Sequence, residues 1–419
     1  MSPRADVLVV GAGSAGCAVA SRLSRDRAVL LVEAGPAPDA DTRRVDRLAL
    51  GSRHDPGRFT RWFADDPPVM RGRAIGGSSV VNGGYFLRTS HDDFAGWGGP
   101  FTGAAIEAAY DELDGGAGPG GGTMSVSRPS DEDVPPVVRA LEARWERAPA
   151  GPWPRPGVQR VPVNRRGGRR WTAADAYLSR PGAEPTVRAD TPIRRLIVER
   201  GRVVGAVSDS GEELRAGEVI LCAGTLGSAE LLLRSGIVGG SLAVYEHREV
   251  LVRYRPQQPS ASCPVLLPSV VHTADAEIRL YADDFARFIA GVPSSTPAVG
   301  VAQMYPAEAG ELRLDGDRLR VRLAPIGPVG DAVEQVVGAL SSPAMADFVV
   351  DGSVRVEPVV GTSQHGWGSL AMGERTDWLG GFDGVSGLRV VDGSILPKVG
   401  SGPHATIMMA ALVIADALR

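Results

Sequence analysis

Two histidines near the C-terminal end, His365 and His404, stand on either side of a Val390-Val391-Asp392-Gly393-Ser394 run. A neutral imidazole can take a proton from oxygen near neutral pH, and a second one can hold that oxygen as charge builds on it. Taken alone, two histidines say only that protons might be handled. Their context lies more than 350 residues earlier, where the chain opens on Gly11-Ala12-Gly13-Ser14-Ala15-Gly16. The first Gly of such a loop permits a tight turn, the second lets backbone approach a pyrophosphate, and the third allows close helix–strand packing. The following helix offers its unpaired N–H groups to phosphate oxygens.

The loop is placed as a dinucleotide site requires. Residues 5–10 read as a buried strand, 14–25 as a helix and 28–32 as a second buried strand. That strand ends in Glu33-Ala34, 17 residues after Gly16. A carboxylate there can accept hydrogen bonds from both ribose hydroxyls and would repel a 2′-phosphate. A second Gly-rich segment spans residues 71–83, with Arg71, Arg73, Gly76, Gly77, Ser78, Ser79, Asn82 and Gly83. Crowding small and amide-bearing residues in this way lets backbone come close to a flat ring or a pyrophosphate.

Further elements must carry these residues. A buried strand is expected at 218–224, a helix at 228–234 stopped by Gly236, a strand at 388–392 and a closing helix at about 405–418. The strand at 388–392 would bring His365 and His404 to one side of a bound ring. Between residues 250 and 350 the texture changes to short β-rich runs with turns. Strands are expected at 250–254 and 277–281, a hairpin at 311–323 turning at Asp315-Gly316-Asp317, and a helix at 331–340. These read as a second, mostly antiparallel domain inserted into the first. The fold class is α/β, a Rossmann-like domain with an inserted α+β domain on an antiparallel sheet. The expected boundaries are 1–100, 186–246 and 353–419 for the first domain, and 101–185 and 247–352 for the second. Residues 114–122 read as a flexible loop.

Composition narrows the function. A chain of 419 residues can bury a large core and fits about two domains. A net charge of −4 argues against nucleic acid and a basic membrane-binding patch. No run of about 20 apolar residues suggests a membrane span. The three cysteines, Cys17, Cys222 and Cys263, fit neither a disulfide framework nor a zinc site, and no metal is expected. Cys17 and Cys222 read as small core residues. A reducing, cytoplasmic setting follows, the inner face of the membrane included. The arginines from Arg165 to Arg170 read as a solvated loop, and His54, His91 and His272 as surface residues. His247 and Trp367 are candidates for the substrate pocket, and Trp62 and Trp97 for its border or the core.

In combination these segments resemble the glucose-methanol-choline (GMC) oxidoreductases. The 71–83 segment resembles that family's first signature, and Glu218 to Ile237 its second. His365-Gly-Trp-Gly-Ser-Leu-Ala-Met-Gly resembles its His-x-x-Gly-Thr-x-x-Met-Gly segment, with Ser369 for threonine. Asp392 to Pro397 and His404 to Met409 resemble its C-terminal flavin segment. The resemblance implies FAD, hydride transfer to flavin N5, His365 as principal base and His404 as its partner. It adds Ile193, Ala223, Gly224, Asp392, Gly393, Ala405 and Thr406 to the cofactor contacts. The segment after Gly236 is short, so Glu246-His247 stands where relatives have Asp-His. Val81 stands where choline-oxidase-like members carry the histidine bonded to flavin, which implies non-covalent FAD. Compact size and Asn82-Gly-Gly-Tyr-Phe-Leu-Arg88 further resemble actinobacterial members associated with the redox peptide mycofactocin. The implied substrate is a small alcohol or a reduced redox-peptide carrier, with a dehydrogenase passing electrons to a respiratory acceptor. A hydroxynitrile-lyase-like enzyme and a non-catalytic flavin-binding redox partner are the alternatives. An NAD-linked dehydrogenase would leave residues 76–83 without a role.

Overall fold

The structure, a computed structural model, describes residues 5–38, 60–63, 68–116, 121–179, 182, 184–259, 263–289 and 292–419. His54 and the centre of the 114–122 loop lie outside the described residues.

An eight-stranded sheet organises the first layer. Its parallel part runs Val385–Val390, Glu213–Leu221, Ala5–Val10, Val29–Val32, Thr186–Arg188. The strand Ala5–Val10 is central and its last four residues are buried. Those four residues, Val7 to Val10, are all apolar, as a parallel sheet covered on both faces demands. The register pairs Val10 with both Leu221 and Val32, and Leu221 with Val390. Four strands therefore end at one level, and the turns that follow them meet at one edge of the sheet. In open parallel sheets, ligands sit outside that carboxyl edge.

The helix Ser14–Leu23 packs against the C-terminal helix His404–Ala417, which also packs against Gly103–Asp114. Enclosure explains the apolar run of the C-terminal helix, whose residues are almost all buried from Ala405 to Ala415. Two expected boundaries move. The strand expected at 218–224 spans Glu213–Leu221, and its helix starts at Gly224, four residues before Ser228. Pairing with Val10 and Val390 stops at Leu221, so the chain is released there. The strand expected at 388–392 spans Val385–Val390, and Asp392 instead caps a short turn by accepting from the Ser394 N–H.

A seven-stranded sheet, antiparallel throughout, forms the second layer. One face carries Val252, Ile278, Leu280, Val299 and Val301 and packs under the helices Pro136–Glu142 and Gly330–Leu340. The opposite face carries Glu249, Glu277 and Arg279. The expected hairpin is present, Gly310–Asp315 with Arg318–Arg322. It does not join this sheet. It pairs with Ser241–Val244, and Leu312, Leu319 and Val321 enter the core of the first layer.

Two other expectations need correction. Arg165 to Arg170 form a tight hairpin whose residues 166–169 are exposed as expected, but Arg170 is 1% exposed. His272 is buried on the strand Ser269–His272, where Nε2 meets Gln159 Nε2 at 2.8 Å. Its apolar neighbours Val270 and Val271 are the better guide, because the strand is buried at all four positions. His91 is exposed, and all three cysteines are buried and unpaired. Among the described residues no helix is long and apolar enough to cross a membrane.

Candidate active site

A cavity of about 750 Å³ opens at the carboxyl edge of the first sheet and extends to the second. Gly11, Gly13, Ser14 and Ala15 line it, as do Glu33 and Ala34 from the end of the next strand. The 71–83 segment contributes Arg73, Gly77, Ser78, Ser79, Asn82 and Gly83. Ile193, Ala223, Gly224, Asp392 and Gly393 complete the cofactor residues expected from sequence that reach the wall. Ala12, Gly16, Gly76, Ala405 and Thr406 stand behind it. Ala12 donates its N–H to Glu33, and its carbonyl accepts from the Gly76 N–H. Gly16 is needed for packing, since a Cβ there would fall 1.9 Å from the Gly11 carbonyl oxygen. Thr406 meets the Tyr110 hydroxyl.

The wall fits a dinucleotide. Three helices, Ser14–Leu23, Gly224–Arg234 and His404–Ala417, start at the cavity, and none has a side-chain cap. Their first N–H groups and positive dipole ends face the space where phosphate and ring oxygens would lie. The two Gly-rich segments touch, because a Cβ on Gly77 would sit 2.6 Å from Gly13 Cα. Glu33 has one carboxylate oxygen on the Ala12 N–H at 2.9 Å and the other on the Gly35 N–H at 3.0 Å. Burial pushes its carboxyl up to about 7, opposed by these hydrogen bonds and by Arg73. Val81 lines the wall with an apolar side chain.

His365 and His404 line the same cavity. His365 is held at three points. Its N–H donates to Glu246 Oε1 at 3.0 Å, and its carbonyl accepts from Arg71 Nη2 at 2.9 Å. Its Nδ1 lies 2.6 Å from His247 Nδ1. The preceding Gln364 takes a left-handed φ of 63° and is tied down by its side chain, which accepts from Met70 N–H and donates to the Pro68 carbonyl. His404 opens the C-terminal helix with Nδ1 3.3 Å from Asn82 Nδ2 and its ring edge-on to Phe86. Its Nε2 is buried with no protein partner. Gly402 passes beside His365 Nε2, where a Cβ would lie 3.7 Å away, and its lack of a side chain is required by the Tyr85 ring, 2.6 Å from that Cβ position. Both histidines are held neutral. Burial lowers His365 well below the usual imidazole range, helped by His247, Arg279 and Arg71. Burial, then Arg170, lowers His404 to about 4.

His247 and Trp367, the candidates for the pocket, do not reach the wall. His247 is fully buried behind His365, and Trp367 packs on the His247 ring with centroids 4.3 Å apart. Trp97 packs edge-on between Phe94 and Phe101. The far wall is instead built by residues that sequence reasoning missed. Glu277, Arg279 and Tyr281 project from one strand, with Tyr85 donating to Glu277 at 2.6 Å. Arg279 donates to Glu277, Glu249 and Ser363. Their i, i+2, i+4 spacing was the available signal. Alternation of this kind ordinarily marks a solvated face, and here that face borders the cavity.

A Gly-loop βαβ unit, uncapped helix ends and two neutral imidazoles on one cavity define a dinucleotide-binding protein of the flavoprotein type. Comparison with known proteins gives the family. The GMC oxidoreductase models match residues 5–244 and 333–411. An uncharacterized GMC-type oxidoreductase of Rhodococcus erythropolis is 30% identical, covering 97% of each chain. Pyridoxine 4-oxidase of Microbacterium luteolum is 27% identical over 96% of this chain and 97% of its own. The solved pyridoxine 4-oxidase from Mesorbium loti superposes with a TM-score of 0.83 at 23% identity, covering 98% of each chain. The chain belongs to the GMC oxidoreductase family, whose cofactor is FAD.

Proposed function

We propose that this chain binds FAD non-covalently and oxidises a CH–OH group, with His365 as general base and His404 holding the substrate oxygen. The observation that carries this reading is the meeting of two neutral, partly unpartnered imidazoles on a cavity lined by the Gly11–Ala15 loop. FAD, when bound, supplies the hydride acceptor. The protein's own part is proton handling and orientation. His365 Nε2 takes the hydroxyl proton, and the carbon left behind becomes a carbonyl. His404 Nε2 hydrogen-bonds the oxygen while it carries charge. Glu246 and Arg71 fix the backbone of His365, so the imidazole meets the substrate without reorganising. Val81 offers no ring nitrogen for a bond to flavin, which supports non-covalent attachment. The proposed cofactor unit is 1–100, 186–246 and 353–419, joined by Gly103–Asp114, Ala173–Tyr177 and the hairpin Gly310–Arg322, which pack in its core. The remainder of 101–185 and 247–352 forms the substrate unit.

The test is spectroscopic. The purified protein should be yellow, and acid precipitation should release all the flavin into the supernatant. Primary alcohols, pyridoxine and choline among them, are then added without oxygen. Bleaching by one of them supports the reading. A protein that neither holds flavin nor bleaches with any alcohol overturns it, and colour left in the pellet overturns non-covalent attachment. Reoxidation by a quinone analogue without oxygen uptake is the result expected of a dehydrogenase, and oxygen uptake with peroxide release marks an oxidase.

A further inference from the structure

We infer that His247 and Asn82 are positioning residues that lock His365 and His404 in opposite tautomers, so that His365 presents a bare Nε2 to the substrate and His404 presents an Nε2–H. The inference rests on the proposed roles of these two histidines. The geometry behind it is independent of them.

His247 sits away from the cavity, behind His365. Its Nε2 lies 2.9 Å from the Val399 carbonyl oxygen and 3.1 Å from that of Met304. Carbonyl oxygens only accept, so this nitrogen carries a hydrogen. His247 is fully buried, and burial, then Arg279, holds it down to about 4. A neutral imidazole has one N–H, so Nδ1 of His247 is a bare acceptor. The facing Nδ1 of His365, 2.6 Å away, must then be the donor. Neutral His365 therefore has no hydrogen on Nε2, the ring nitrogen beside Gly402 at the cavity. Its lone pair is already in place to receive a proton.

The opposite assignment follows at His404. Asn82 Oδ1 accepts from Arg170 Nη1 at 3.0 Å and from the Gly84 N–H at 2.9 Å. Those two donors fix the amide, so Asn82 Nδ2 is the group facing His404 Nδ1 at 3.3 Å. An amide nitrogen donates, so Nδ1 accepts and the single hydrogen of neutral His404 sits on Nε2. That N–H is the buried atom without a protein partner. A hydroxyl between the two rings would donate to His365 and accept from His404. Swapped tautomers would reverse both contacts and make His404 the acceptor of the hydroxyl proton. The dipeptide Glu246-His247 thus grips the base twice, Glu246 through its backbone N–H and His247 through its ring.

Nitrogen-15 NMR of the FAD-loaded protein, labelled in histidine, reads the tautomers directly, with His365→Gln and His404→Gln variants to assign the signals. The expected result is Nδ1–H for His365 and Nε2–H for His404. Finding Nε2–H on His365 in the unaltered protein overturns the inference. Rapid-mixing reduction of the flavin gives the second readout. His247→Leu removes the acceptor and should slow reduction at saturating alcohol about 10-fold or more, with little change in alcohol affinity. His247→Asn restores an acceptor oxygen towards His365 and should recover most of the rate. Wild-type reduction in His247→Leu overturns the inference, and the tautomer measurement decides it if that variant does not fold. Should His365→Ala reduce its flavin normally, the base assignment fails by itself, and the tautomers still report on the lock.

Discussion

Replacing Gly77 by Ala tests how the two Gly-rich segments meet. Gly77 sits at φ +55°, and a Cβ there would fall 2.6 Å from Gly13 Cα and 3.5 Å from Gly13 N. A left-handed backbone costs an ordinary L-residue roughly 1–2 kcal/mol. The obstacle is main chain, which cannot rotate aside as a side chain would, and overpacking of this kind adds about 1–3 kcal/mol. Together Gly77→Ala should destabilise the protein by about 2–5 kcal/mol. It should also spread the loops that would cradle the pyrophosphate. Gly83→Ala is the control. Gly83 lines the same cavity, has no left-handed φ, and would place its Cβ with no atom within 4 Å. Its effect on stability should stay within about 0.5 kcal/mol. Urea unfolding of the flavin-free variants gives both values, and an FAD titration followed by fluorescence gives the affinities. Equal stability of Gly77→Ala and the unaltered protein would refute the close approach of the two segments.

Glu33→Gln leaves one oxygen for two backbone N–H groups, which should cost the fold about 1–3 kcal/mol. It also removes a charge-assisted ribose contact worth about 1.5–3 kcal/mol, so FAD affinity should fall as well. An unchanged dissociation constant would contradict the placement of Glu33 at the cofactor. His404→Ala should slow flavin reduction more than His404→Asn, because an asparagine amide can still donate to the substrate oxygen. Equal rates in stopped-flow reduction would remove that role. The pH profile has a definite sign. A base must be neutral to accept a proton, and His365 is held well below the usual imidazole range, so its neutral form persists as pH falls past 6.5. The acid limb of the flavin-reduction rate should lie below that point, whereas a limb centred at about 6.5 would indicate an unperturbed imidazole.

The cofactor side was legible in sequence because its requirements are local. A strand, a Gly loop, a helix and a carboxylate at the next strand end lie within 29 residues, from Ala5 to Glu33, and the parallel register brings Leu221 and Val390 to the same edge. The strand ends were less legible. Pairing partners far along the chain decide them, as the release of Glu213–Leu221 at its last paired residue illustrates. The substrate side depends on long-range packing. Glu277 and Arg279 alternate with buried Ile278 and Leu280 as a solvated strand would, and only the second layer turns their polar face towards the cavity. Arg170 obeys the same rule, since its local polarity does not reveal Asn82, brought in from elsewhere in the chain. His247 was noticed as part of a motif, and its position behind His365 became visible only in three dimensions.

The central claim is that His365 takes the substrate proton. Anaerobic stopped-flow reduction of the FAD-loaded protein by its alcohol, compared with His365→Ala, tests that claim most directly. His365→Ala should keep its flavin and its visible spectrum while reduction slows by about 10²–10⁴-fold, the usual contribution of a positioned general base. Reduction of the variant at the unaltered rate would mean that the proton leaves by another route, and the assignment of His365 would be wrong.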